Sequence, residues 1–296
     1  MDGLVRESAR RVPGREAVRH RGRGWTYAEL DAAVSTGAAV LRERYGLGDG
    51  DRVAVLGRDS DAHLLTFLAC ARAGLTQVPV APDLTGGELA HVLADCAPAL
   101  VLADPDLAGR VPAGPAVRPL RDAPGSFLAE LAEPQEFDPD RDPYEVVQLL
   151  YPRGTAARSG GTALTHRMLA RTYEDMIGVL DLDEADRPLH APGLGHPAPA
   201  HLFLLPCLAV GARNTILDEP LPEHVLGLVE EDRADSLFAP PPVWTALAGH
   251  PQLGRRAPDG LRKGYYDASA TPGPVLDRLR QRLPGLALHA VADRTP

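Results

Sequence analysis

Lysine is almost absent from this chain. Of its 31 basic residues 30 are arginine, and Lys263 stands alone. Any chemistry that needs a primary amine therefore has one candidate. Cysteine is nearly as scarce: Cys70, Cys96 and Cys207 lie far apart and form no C-x-x-C pair. That spacing excludes a disulfide framework and a thiolate zinc site, and it fits a reducing, cytoplasmic setting. No apolar run reaches the length of a membrane-spanning helix, and the opening MDGLVRESARRVPGREAVRH lacks the apolar stretch of a signal peptide. Positive charge is not in excess either. The formal net charge of -9 excludes a broad electrostatic footprint for nucleic acid. Neither nucleic acid nor membrane is expected as a partner. What is present is ordinary for a globular protein: 296 residues, 44% apolar and 24% charged, enough for one large or two ordinary domains.

Short apolar runs alternate with longer amphipathic stretches. In TYAELDAAVSTGAAVLRERYG the apolar residues Leu30, Val34, Ala38 and Leu41 recur at helical spacing, and Thr26 followed by Glu29 is a capping box. A short strand is predicted over Val53–Leu56, then a buried helix in HLLTFLACARAG that stops at Gly74. TQVPVAPDL reads as a strand, and TGGELAHVLADCAPALVLAD as a helix followed by a strand. This alternation predicts an α/β protein with a mainly parallel sheet. Residues 103–145 are rich in Pro, Asp and Gly and read as surface loop with one short helix around SFLAELAE. The α/β pattern resumes at VVQLLYP.

The order of these segments resembles the adenylate-forming superfamily of acyl-CoA synthetases, peptide-synthetase adenylation domains and luciferases. WTYAELDAAV, GLGDGDRVAVLGRDS and the stretch from Phe67 to Asp104 resemble its opening elements. GTALTHRML resembles the helix start that follows its phosphate loop, with His166 and Arg167 as scaffold. LPCLAVGARNTIL, LVEEDRADSLFAPPPVWTAL and LDRLRQRLPGLALHAV resemble the segments around its acyl and adenine pockets. The resemblance implies two interwoven α/β/α subdomains of the adenylate-forming N-terminal core, without the barrel and C-terminal lid. It places residues 62–187 in one and 1–61 with 188–296 in the other, and implies a partly apolar crevice. In the family a carboxylate attacks ATP and a thiol then takes the acyl group.

Against that pattern the chemistry is depleted. The phosphate loop is reduced to YPRGTAARSGG, in which Tyr151, Gly154, Thr155 and Gly161 match. Pro152 removes an N–H donor, Arg153 adds bulk, Ala156 and Ala157 replace a threonine and a glycine, and Gly160 stands in the lysine position. Arg158 could supply a cation to attract an anion there. The adenine motif becomes Asp267, Ala268 and Ser269, and the metal-binding motif becomes Ala292 to Pro296, keeping only Thr295. No cofactor is expected: ATP and magnesium are not expected to bind, and the spacing of histidines fits no metal site.

The resemblance puts His196 on the acyl-pocket wall, flanked by His190 and His201. An imidazole beside a bound carbonyl can act as acid or base; the alternative is three loop histidines. Tyr265, Tyr266 and Asp267 read either as an aromatic plug or as a remodelled site, with His196, Asp267 and Tyr266 as catalytic candidates and His190, His201, Trp244, Tyr265 and Ser269 as substrate contacts. Trp244 reads first as core. Three functions stay open. One is a nucleotide-free step, such as cyclisation, dehydration or hydrolysis, on an acyl or polyketide-like ligand in natural-product biosynthesis. Another is a non-catalytic binding protein for a carrier protein or a full-length synthetase. The third is a half-enzyme completed by a partner chain. A homodimer is a further way to cover apolar surface.

Overall fold

The computed structural model describes residues 2–137, 139–151, 160–191, 200–217, 219–231, 234–256 and 260–291. The strands are β1 (Glu16–His20), β2 (Arg23–Thr26), β3 (Arg52–Leu56), β4 (Thr76–Val80), β5 (Leu100–Ala103), β6 (Ala116–Pro119), β7 (Val146–Leu150), β8 (Thr162–Thr165), β9 (Pro188–His190), β10 (Asn214–Ile216), β11 (Ser236–Phe238), β12 (Lys263–Asp267) and β13 (Ala287–Val291). The α-helices are α1 (Asp2–Arg11), α2 (Tyr27–Ala39), α3 (Asp61–Ala73), α4 (Gly86–Cys96), α5 (Phe127–Glu130), α6 (His166–Val179), α7 (Leu205–Val210), α8 (Pro222–Glu231), α9 (Pro241–Gly249), α10 (Leu253–Arg256) and α11 (Gly273–Arg282). They divide into two compact units. No helix among the described residues is long and apolar enough to cross a membrane.

The first unit holds a six-stranded sheet in the order β6-β5-β3-β4-β7-β8, parallel except for the closing β7–β8 pair. Its central strands are continuous apolar runs because both faces are covered. The capping box forms as the sequence predicts: Glu29 N donates to Thr26 Oγ1 at 3.2 Å and Thr26 N to Glu29 Oε2 at 2.8 Å. Thr85 and Glu88 repeat it at the start of α4. All thirteen residues of α3 are buried, and Gly74 ends the helix with φ 72°, the left-handed stop that glycine makes cheaply. Helices α2 and α3 meet closely. A methyl group on Gly37 would stand 2.9 Å from Ala69 Cβ.

Buried charge secures the carboxyl ends of β3 and β5. Asp104 accepts from Arg121 Nε at 2.8 Å, from Arg121 Nη2 at 3.0 Å and from the backbone N–H of Arg58 at 2.9 Å. The Arg58 guanidinium turns outward to pair with Asp106.

The second unit holds a seven-stranded sheet in the order β13-β12-β11-β9-β10-β1-β2. β1 and β2 are joined by Arg21 and Gly22, with φ 45° and 79°, the paired positive angles of a tight hairpin turn. One face of this sheet packs against α8, α9, α10 and α11 through Leu226, Val229, Trp244, Leu247, Leu253 and Leu279. The other packs against Leu180, Leu182, Leu202, Phe203 and Cys207. Gly264 makes room for the indole of Trp244: a Cβ there would lie 3.0 Å from Trp244 Cη2.

One expectation changes, that for residues 103–145, and the division of the chain follows strand pairing. In the structure residues 26–61 lie in the first compact unit. The reason is β3, which pairs with both β4 and β5 at the centre of the six-stranded sheet. At the other end, the described residues from 173 onward belong to the second unit. Within the expected surface loop 103–145, β6 adds a strand to β5. It is an edge strand held by backbone pairing with mostly exposed side chains, so it carries no hydrophobic signature.

Replacing Arg121 by Met leaves Asp104 buried and without its guanidinium. The expected loss is about 3–5 kcal/mol of unfolding free energy, read by urea denaturation. A change under about 1 kcal/mol would show that this pair does not secure the β3 and β5 ends.

Candidate functional site

Parallel pairing in register lines up six residues across the seven-stranded sheet. His20 pairs with Ile216, Ile216 with His190, His190 with Phe238, Phe238 with Tyr265, and Tyr265 with His289. In-register neighbours in a parallel sheet share a face, so these side chains form one row. The row lies at the carboxyl ends of β1, β9, β10 and β11. There the two adjacent strands β9 and β11 send their connections to opposite faces. The chain returning to β10 carries Phe203 and Cys207 over the row, whereas the chain leaving β11 enters α9 on the far face. Such a switch point at the carboxyl edge is where open α/β sheets place ligands.

Phe203 caps the row. Its ring centroid lies 5.1 Å from His190, 4.7 Å from Tyr265 and 5.4 Å from Phe238, and Tyr265 stacks on His289 at 5.3 Å. Beside it, Tyr173 Oη lies 2.8 Å from His201 Nδ1, with the rings 5.9 Å apart.

The polar geometry fixes one tautomer. Asn214 Nδ2 donates to the carbonyls of Ala17 at 3.1 Å and Ala212 at 3.0 Å. Its Oδ1 must then be the atom 2.8 Å from His190 Nε2. An amide oxygen only accepts, so His190 carries its proton on Nε2 and Nδ1 is the acceptor nitrogen. Burial pushes His190 down to about 4 and His201 down to about 3. Both imidazoles are neutral near pH 7.

The other anticipated residues are placed as follows. Tyr265 is fully buried and donates to the Leu180 carbonyl at 3.1 Å. Tyr266 points to the opposite face, against the cluster around Trp244. Trp244 is fully buried and donates through Nε1 to the Tyr265 carbonyl at 3.1 Å. Asp267 Oδ1 accepts from Ser269 N at 2.8 Å and Ser269 Oγ at 2.7 Å. As neighbours on one strand, Tyr266 and Asp267 face apart, so they do not converge on one ligand. Lys263 donates to both oxygens of Asp186, at 2.9 and 3.1 Å, and to the Asp181 carbonyl at 2.8 Å. The chain's one lysine is thus a structural tie. The three cysteines are buried thiols, and burial raises each well away from thiolate formation.

Tyr151 follows β7 and Gly161 precedes β8 in the first unit. Tyr151 donates to Asp95 Oδ2 at 2.5 Å, and a Cβ on Gly161 would strike Leu149 at 2.6 Å and Tyr151 at 2.9 Å. Gly154, Thr155, Arg158 and His196 lie outside the described residues, as do the positions from Ala292 on. His20 and His289 join the row although nothing in their local sequence singles them out. Only strand register, a long-range property, brings them there. Among the described residues no three His, Cys, Asp or Glu side chains are placed to hold a metal ion.

The AMP-binding enzyme family profile matches residues 5–291. Feruloyl-CoA synthase from an Amycolatopsis species is 34% identical over 279 residues, which cover 94% of this chain and 56% of that protein. One of the plipastatin synthase polypeptides of Bacillus subtilis is 31% identical over 186 residues, 63% of this chain and 7% of that one. The inhibitor-bound N-terminal domain of FACL13 from Mycobacterium tuberculosis superposes with a TM-score of 0.84 at 19% identity, covering 98% of this chain and 75% of that one. That likeness is one of fold: two parallel-dominated sheets, with no barrel among the described residues. The chain spans just over half the length of the feruloyl-CoA synthase it matches.

The buried histidines set a pH response. His63 in the first unit is also lowered by burial, to about 4. Each of the three binds its proton near pH 6.5 when unfolded and two or more pH units lower when folded. Their contribution is complete above pH 6.5 and is lost as pH falls toward 4, at about 1.4 kcal/mol per pH unit per histidine. Urea midpoints measured between pH 7 and pH 5 are expected to fall, and less steeply for His201→Gln. Equal slopes for both proteins would contradict a neutral, buried His201.

Proposed function

This chain belongs to the AMP-binding enzyme family, and from that premise we propose that its 296 residues bind a carboxylic acid or its acyl form at the carboxyl edge of the seven-stranded sheet and do not adenylate it unaided. The observation that carries this reading is the donor set. Adenylation concentrates charge on phosphate oxygens and needs N–H groups, hydroxyls and a cation around them. Between Tyr151 and Gly161 the sequence keeps Thr155, Arg158 and Ser159 but sets a proline, a bulky arginine and two alanines among them and has no lysine. The chain's only lysine is bound to Asp186. Asp267, in the adenine-motif position, brings negative charge toward a nucleotide. These residues do not fit ATP with magnesium.

Recognition of the acid is what this reading retains. A feruloyl group, named in the relative from Amycolatopsis, is an aromatic acyl group. A row built from Phe203, Phe238, Tyr265 and His190 offers ring edges and faces to such a ligand. Binding takes precedence over a nucleotide-free step on a polyketide-like ligand, because Asp267 is already engaged by Ser269 and His190 and His201 are weak bases. The partner this reading favours is a carrier protein or a full-length synthetase, in keeping with the likeness to a plipastatin synthase polypeptide.

A second reading, completion by further polypeptide, is favoured by the 56% span of the feruloyl-CoA synthase. Acid-dependent ATP–pyrophosphate exchange separates the two. The 296-residue protein is expected to give no exchange above a protein-free control with any of a panel of aromatic and aliphatic acids. Exchange by this chain alone would overturn the reading. Exchange only after adding a chain that corresponds to the rest of the relative's length would establish the second.

A further inference from the structure

Large apolar side chains that stand exposed are few among the described residues, and three of the six gather at one place on the first unit: Tyr144, Val146 and Met168. The fold holds them firmly. Val146 opens β7 and pairs with Thr165 at the end of β8, and Thr165 Oγ1 accepts from Met168 N at 3.3 Å. The start of α6 is tied to the segment before β7: His166 N donates to the Glu145 carbonyl at 3.2 Å and Arg167 N to the Pro143 carbonyl at 2.8 Å. The Arg167 guanidinium lies over the Tyr144 ring, 5.4 Å from its centroid, and donates through Nη1 to Tyr144 Oη at 2.8 Å. Charge is the second feature of this place. Arg167 and Arg171 are both exposed and stand at i and i+4 on α6, so their guanidinium groups share a face and repel. Neither pairs with a carboxylate among the described residues. The acids nearest in sequence are committed elsewhere: Glu145 pairs with Arg141, and Asp142 accepts from Tyr144 N. Glu174 and Asp175, one turn beyond Arg171, form no ion pair with it. By contrast Arg58 is neutralised by Asp106 and Arg256 by Glu230.

We propose that Tyr144, Arg167, Met168 and Arg171 form a docking surface for another protein, one that presents carboxylates around an apolar side chain. Tyrosine, methionine and arginine are the residues that enrich the centres of protein interfaces. The partner's carboxylates neutralise the two arginines, and its apolar side chain covers Tyr144 and Met168. A second copy related by a two-fold axis is a poorer occupant, because the same patch on both copies sets arginine against arginine. The net charge of -9 also disfavours a nucleic acid or an anionic membrane. An extended polyanion meets the acidic remainder of the surface, whereas a protein touches the patch alone. The inference does not require that an acid bind at the row, which belongs to the second unit.

The test is fluorescence anisotropy at low ionic strength with a labelled helical peptide that carries Glu and Leu along one face. A second peptide with Lys in place of Glu is the control. The intact chain is expected to bind the Glu peptide saturably and the Lys peptide about tenfold or more weakly. Arg167→Glu combined with Arg171→Glu is expected to weaken the Glu peptide about tenfold or more, and Met168→Ser to weaken it by a smaller factor. Arg255→Glu combined with Arg278→Glu, at exposed arginines of the second unit, is expected to leave it unchanged. Equal weakening by the two double variants would show general charge attraction and overturn the proposal. So would no binding, or binding that survives the first double variant. Should that variant not fold, Arg171→Glu alone decides, because the Arg171 side chain makes no hydrogen bond or ion pair among the described residues. Two results would assign the patch to a different occupant and overturn the proposal as well. One is a dimer in sedimentation that Arg171→Glu dissociates. The other is binding to phosphatidylserine vesicles without binding to the Glu peptide.

Discussion

Everything at the candidate site depends on parallel strands pairing in register. Backbone hydrogen bonds run between neighbouring strands with a fixed offset, so one choice of register fixes which side chains share a line. Here that line contains His20, Ile216, His190, Phe238, Tyr265 and His289. A slip of one residue in β9 would exchange His190 for Leu189 and turn the imidazole into the helix-covered face. The fold guards against this by making the two faces chemically different. Leu189, Leu237 and Tyr266 join the cluster under α8 and α9, while Phe238 and Tyr265 join the one under Phe203.

Polar groups inside that apolar frame are arranged so that each has a defined role. Asn214 commits its two hydrogens to backbone carbonyls and its oxygen to His190. Lys263 closes the bend around Asp186. Asp267 is folded back onto Ser269. Among the described residues that look reactive in the sequence, Asp267 is held by Ser269, and His190 and His201 are kept neutral by burial. The same logic operates in the other unit, where Asp104 is saturated by Arg121 and the Arg58 backbone.

Local signals in the sequence were legible because local physics decides them. The Thr26–Glu29 box and the Gly74 stop depend on residues within one turn of the chain, and both form as read. Apolar runs such as Val53–Leu56 declare themselves as buried strands without further context. Trp244, read as core, is fully buried. What escaped was long-range or unpatterned. β6 shows mostly exposed side chains, and the β1–β2 hairpin turns on Arg21 in a positive-φ conformation that arginine does not advertise. The allocation of β3 to the first unit follows from pairing partners at residues 76–80 and 100–103. Tyr266 and Asp267 are grouped by proximity in the sequence, but strand alternation turns them to opposite faces once β12 is known.

The central claim is that acid recognition persists in this chain without nucleotide binding. Its most direct test is a pair of calorimetric titrations on one preparation, first with Mg·ATP and then with an aromatic carboxylic acid. The account predicts no heat of binding from the nucleotide and stoichiometric binding of the acid. Stoichiometric nucleotide binding, or an acid that binds only once nucleotide is present, would contradict it.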